Sequence, residues 1–191
     1  MTLDLIYNST DSYFLNKPSP KKYINKFESL KSLLNVQLNQ SQSIRLGTTI
    51  ENILRNYIKS NSDWIDIKEC NHWGLKERDH LFKRGGDVIY AELKSNLQLD
   101  SEKKAGTLAK ILQIAQVENT RGILVALRHF SYDTLRISNH PDYYERSGVS
   151  VLPVKDYLAK YGLQPFSSSE EYIAWLNFVA HRTIQEDELN A

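Results

Sequence analysis

Two adjacent glycines, Gly85-Gly86, constrain this chain more tightly than any other feature. They separate Arg78–Lys83 from the run Asp87 to Ser95, DVIYAELKS. The second segment is rich in β-branched and aromatic residues, which favour extended backbone. Paired glycines accept the positive φ of a two-residue hairpin loop. Counting outward from that loop sets a register. Arg84 faces Asp87, Lys83 faces Val88, Phe82 faces Ile89, Leu81 faces Tyr90, His80 faces Ala91 and Asp79 faces Glu92. Opposed residues share a face, with Cβ atoms about 4.5–5.5 Å apart. Lys94, two residues beyond Glu92, joins that face. The sequence therefore predicts two carboxylates and an ammonium clustered at an exposed, open hairpin end.

Opposed carboxylates repel unless a cation lies between them. Mg²⁺ takes hard oxygen ligands, uses one or two carboxylates and keeps positions for water or phosphate oxygens. Lys94 is a compact charge suited to orienting a nucleophilic water or stabilising a phosphorane. Such a set has the parts for metal-assisted phosphodiester hydrolysis. The alternative is a solvated charged face. Asp66-Ile67-Lys68 has the same spacing, but Asp63 points to the opposite face and no partner acid has a countable register. Asp87 has the wrong parity to join Glu92. His80 also has the opposite parity from Asp79 and reads as core or flank.

Composition narrows the classes. The 191 residues carry 24 Lys+Arg and 23 Asp+Glu, a net charge of +1, which weakens a purely electrostatic nucleic-acid binder but not a nuclease. The single Cys70 excludes an intramolecular disulfide and a Cys-based zinc site, and reads as a small buried or partly buried residue. His72, His129, His140 and His181 lack metal-ligand spacing. The longest apolar run, Ile123 to Leu127, is far short of a membrane span. The N-terminus lacks the basic start of a signal peptide, so a cytoplasmic location is expected.

The expected organisation is one α/β domain, with a core over about 46–153, an N-terminal helical arm over 1–45 and C-terminal helices over 154–191. Residues 1–20 read as a polar arm or irregular lead-in ending at Pro18-Ser-Pro20. Helical spacing follows over Lys21 to Leu38, then a polar break at Asn39 to Ser43, then a helix over Leu46 to Lys59. After three short strands comes a helix over Ser101 to Val117, with Leu108, Ile111, Leu112 and Ala115 as its apolar face and Asp100 or Ser101 as its cap. Gly122 to Phe130 reads as a buried strand, 131–148 as an irregular insertion and Val149 to Pro153 as a short strand. Helices are expected over Val154–Tyr161 and about Glu170–Ile184, the latter with Ser167 to Ser169 before Glu170 and Glu171 as a capping box.

The stretch RDHLFKRGGDVIYAELKSN resembles the signature of the PD-(D/E)XK nuclease superfamily, in particular its type II restriction endonucleases. Twelve residues separate Asp79 from Glu92, and Arg78 stands where the signature has Pro. The superfamily's order of helix, three strands, helix and strand maps onto 46–130. The resemblance implies a restriction-endonuclease-like core, a mixed sheet built on a hairpin and flanked by helices. It implies Mg²⁺ held by Asp79, Glu92 and the Leu93 carbonyl, with Lys94 steering the attacking water, and products ending in 5′-phosphate and 3′-hydroxyl. Gly47-Thr48-Thr49-Ile50-Glu51 fits the superfamily's upstream helix, which adds Glu51 to the candidate catalytic set; an ion pair with Arg55 is the alternative. Expected DNA contacts are Ser95, Asn96, Lys103 and Lys104 beside the site, and Arg136, Asn139, Tyr143 and Arg146 in the insertion; solvated loops are the alternative. Cutting both strands of a palindrome with one site per chain implies a homodimer. A repair or junction-resolving nuclease of the same superfamily, or a non-catalytic nucleic-acid-binding protein, is the rival expectation.

Overall fold

A computed structural model of the chain describes residues 3–16, 30, 33–68, 77–95, 97, 99, 101–135 and 141–189, without the side chains of 134 and 187–189. They fall into two compact units, Met1–Ser60 with Gln164–Ala191, and Asn61–Leu163.

The second unit is built on the hairpin. Strand β2 (His80–Arg84) pairs antiparallel with β3 (Asp87–Lys94), and every pair from Arg84↔Asp87 to His80↔Ala91 falls where the glycine count puts it. Gly85 uses its conformational freedom, at φ 58°. Strand β1 (Ile65–Asp66) adds antiparallel to β2, while β4 (Gly122–Ala126) and β5 (Ser150–Pro153) continue parallel from β3. The result is a five-stranded mixed open sheet ordered β1-β2-β3-β4-β5.

The parallel β3–β4 step needs a crossover, and the helix Ser101–Val117 supplies it. Its bounds agree with the sequence expectation, and so does its face at Ile111, Ala115 and Leu108, but not at Leu112. Leu112 is exposed, and the buried stripe is Ile111, Ile114 and Ala115, with Leu108 partly buried. The helix packs close on β4: a Cβ on Gly122 would run into the Ile111 side chain. Leu81, Tyr90, Leu124, Ala126 and Val151 complete that core. A cluster of rings includes His80, Phe82, Tyr157 and Tyr161, and His80 Nδ1 lies 2.6 Å from the Tyr157 hydroxyl.

Strand β4 stops at Ala126, short of the expected Phe130. The chain turns there, with Leu127 N–H donating to Lys94 O and His129 N–H to Ala126 O. The insertion is not irregular throughout. It contains short helices over Tyr132–Leu135 and Pro141–Glu145, whose Leu135, Pro141 and Tyr144 are buried. After β5 a short helix spans Val154–Ala159.

The first unit contains α1 (Leu3–Leu15), α2 (Gln40–Asn61, its last residue counted with the second unit) and the long helix Ser169–Leu189. The first of these replaces the lead-in expected over 1–20. Its Ile6 and Thr10 are buried, Trp175 Nε1 donates to Thr10 Oγ1 at 3.0 Å, and Tyr7 packs on Phe178. A helix this short is marginal alone, and its packing on Trp175 and Phe178 stabilises it. The second helix starts at Gln40, not Leu46, because Asn39 and Gln42 form a reciprocal cap, each side chain accepting from the other's backbone N–H at 2.9 Å. Of the helix expected over Lys21 to Leu38, the described residues 33–38 are not α-helical; most of the rest lies outside the described residues. The C-terminal helix runs further than expected and carries its capping box: Glu171 N–H donates to Ser168 Oγ at 3.3 Å, and Ser167 N–H to Glu171 Oε2 at 2.7 Å. No helix among the described residues is long and apolar enough to cross a membrane.

Candidate functional site

Asp79 lies one residue before β2, and Glu92 and Lys94 lie near the end of β3. Beyond His80↔Ala91 the next hydrogen-bonded pair of the ladder would join Leu93 to Arg78. Instead Leu93 N–H donates to Asp79 Oδ2 at 2.8 Å. The Asp79 carboxylate is thereby drawn to the edge of β3. A residue's N–H and C=O point to the same side of an extended strand, so the Leu93 carbonyl faces that edge too.

Glu92 has both oxygens engaged. Lys94 Nζ lies 2.6 Å from Oε1, Lys110 Nζ lies 2.6 Å from Oε2, and Tyr90 donates its hydroxyl to Oε2 at 3.3 Å. Lys110 also lies 3.5 Å from Asp79 Oδ1. The acids are not at an exposed hairpin end, as the sequence suggested: Asp79 is 9% and Glu92 2% exposed. The crossover helix covers them. The lysine side chains, at 32% for Lys94 and 16% for Lys110, form the more open side of the cluster.

Lys110 is the residue that sequence reasoning missed. Assigning Leu112 to the apolar face turned the helix so that Lys110 pointed away from the sheet. The true stripe of Ile111, Ile114 and Ala115 brings Lys110 to its edge, one turn before Ile114. One turn after Ile114 stands Glu118, and Arg78 Nη2 lies 2.6 Å from its Oε1 with both side chains largely buried. Adjacent residues 78 and 79 are thus tied to opposite ends of one helical row.

The electrostatics are those of a crowded site. Burial pushes the Tyr90 hydroxyl far above its ordinary value, and the Glu92 and Asp79 charges add to that against Arg78, so Tyr90 stays a proton donor. Tyr144, from the insertion, is pushed up to about 12, by burial first and then by Tyr143, while Lys94 opposes. Its buried hydroxyl has no hydrogen-bond partner among the described residues.

Other expected residues are more scattered. Ser95 is half-buried and directly follows the cluster. Lys103 is exposed and Lys104 half-buried on the first turn of the crossover helix. Tyr143 and Arg146 are exposed, with Arg146 4.0 Å from Asp142. Glu51 is half-buried on α2, in the first unit. Asn96, Arg136, Asn139, His140, Cys70 and His72 lie outside the described residues. A cleft of about 430 Å³ at the other end of the β3–β4 ladder, lined in part by Val88, Thr120, Arg121 and Lys160, holds none of the expected site residues.

The donor chemistry suits a hard cation. Two carboxylates and a main-chain carbonyl are a set that Mg²⁺ completes with water and phosphate oxygens. No group of three or more His, Cys, Asp or Glu that could hold a metal ion gathers among the described residues. No protein-family model, curated protein or solved structure matches the chain.

Proposed function

We propose that this chain is a Mg²⁺-dependent DNA endonuclease of the PD-(D/E)XK type, acting as a homodimeric type II restriction enzyme on double-stranded DNA. The observation that carries the proposal is the meeting of Asp79, Glu92 and Lys94 at one end of the β2–β3 hairpin, with Leu93 N–H bound to Asp79. The order of helix, three strands, crossover helix and strand supports a restriction-endonuclease-like core.

When bound, Mg²⁺ supplies charge neutralisation at the scissile phosphate and lowers the pKa of water for in-line attack. Asp79 and Glu92 offer the carboxylate oxygens and Leu93 its carbonyl. The Leu93–Asp79 hydrogen bond fixes the carboxylate against the strand, so its position does not depend on a flexible side chain alone. Lys94, oriented by Glu92, donates to the attacking water or to a non-bridging phosphate oxygen. Tyr90 donates to Glu92, and the Arg78–Glu118 pair ties the residue beside Asp79 to the crossover helix. In this reading Ser95, Lys103 and Lys104 contact the DNA backbone, and Tyr143 and Arg146 of the insertion meet the duplex further along.

Incubating the protein with plasmid and phage DNA tests this. Discrete bands with Mg²⁺, absent with EDTA, are the expected result. Preferential cutting of branched over plain duplex would assign it instead to junction or repair chemistry. No cleavage of any duplex or branched DNA with Mg²⁺ or Mn²⁺ would overturn the nuclease assignment.

A further inference from the structure

The proposed chemistry gives Lys94 a task and none to Lys110. Yet Lys110 is the cation that bridges the two acids, 2.6 Å from Glu92 Oε2 and 3.5 Å from Asp79 Oδ1. A single cationic atom between these carboxylates stands where a divalent ion shared by them would lie. Lys94 takes the other oxygen of Glu92. Two carboxylates and two ammoniums make the cluster neutral without any metal, which is how two buried acids are tolerated so close together.

An ammonium and a divalent cation exclude each other at the same oxygens. Mg²⁺ approaches its ligands to about 2.0–2.1 Å and repels a neighbouring positive charge. Lysine can withdraw without moving its helix, since a flexible four-carbon stem separates the charge from the backbone. The Ile111, Ile114 and Ala115 stripe holds the helix itself in the core.

We infer that Lys110 is a built-in counter-ion occupying the divalent-cation position, so that metal binds by exchange with its ammonium and not by filling a waiting site. The inference rests on the proposed metal site at Asp79 and Glu92. It makes Lys110 a determinant of metal affinity, distinct from Lys94.

Calorimetric titration of the full chain with Mn²⁺ tests it, comparing the unaltered protein with Lys110→Met, Lys110→Arg and Asp79→Asn. Lys110→Met is expected to bind Mn²⁺ at least about tenfold more tightly, because a repelling charge is gone. Lys110→Arg keeps the charge and is expected to stay within about threefold of the unaltered protein. Asp79→Asn is expected to lose most binding. If the unaltered protein binds Mn²⁺ and Lys110→Met binds it no more tightly, the exchange is wrong and the metal site stands. If neither binds Mn²⁺, the metal site is wrong and the exchange falls with it. A second measurement needs no variant. Acetylation of Lys110, followed by mass spectrometry, is expected to be slow in EDTA and faster with Mg²⁺; equal rates overturn the exchange.

Discussion

At Asp79 one carboxylate serves both the local fold and the proposed chemistry. It accepts Leu93 N–H at a place where the β2–β3 ladder has run out of backbone acceptors. Asp79→Ala is therefore expected to lower stability by about 1–3 kcal/mol through the unsatisfied buried N–H, measured by urea denaturation. This differs from the harmless truncation that an exposed hairpin end would allow. Asp79→Asn and Glu92→Gln preserve shape, and each is expected to abolish Mg²⁺-dependent cleavage of plasmid DNA with far-UV circular dichroism unchanged. Lys94→Met is expected to keep Mn²⁺ binding and to slow cleavage by about 10²–10³-fold, the size of a lost charge-stabilising donor. Retention of near-normal turnover in single-turnover assays would make Lys94 a structural partner of Glu92.

Between elements, the crossover helix packs close on β4 at Gly122. Gly122→Ala places a methyl group against Ile111, and overpacking of this kind is expected to cost about 1–3 kcal/mol, read as a fall in the thermal midpoint. The capping box of the C-terminal helix gives a pH signature. Ser167 N–H holds the Glu171 carboxyl below its ordinary value of 4.5, so the stability it adds is present above that value and is lost as pH falls through the lower folded one. Glu171→Gln is expected to flatten that acid limb in a thermal-midpoint series against pH. The hairpin register was legible in the sequence because a glycine pair gives an origin and strand alternation has no adjustable parameter. The crossover helix was legible in its bounds but not in its rotation. Leu108 and Leu112 compete with Ile111 and Ile114 for the apolar stripe, and only the packing on β4 decides. The misplaced face is what hid Lys110 and Glu118, both of which lie along the true one. The α1 helix was not read from the sequence, and a partner that packs on it is more than 150 residues away.

On the scale of the whole chain, the two units are built from different kinds of segment. The sheet unit is one continuous stretch, Asn61–Leu163, while the helical unit joins Met1–Ser60 to Gln164–Ala191. Trp175 is central to that second arrangement: it is fully buried, it packs against Phe166 and Tyr172, and it donates to Thr10. Trp175→Ala is expected to cost about 3–5 kcal/mol in urea denaturation and to reduce helical signal beyond the substituted turn. The Thr10–Trp175 hydrogen bond spans 165 positions, so it closes a long loop around the segment that carries Asp79, Glu92 and both lysines. Such contacts form slowly, because the entropy of closure must be met before any packing rewards it. During synthesis on the ribosome, Ile6 and Thr10 are made long before Trp175, the partner that Thr10 bonds to. The carboxylate–lysine cluster needs only residues between these two, so its acids can be neutralised before the Thr10–Trp175 contact exists.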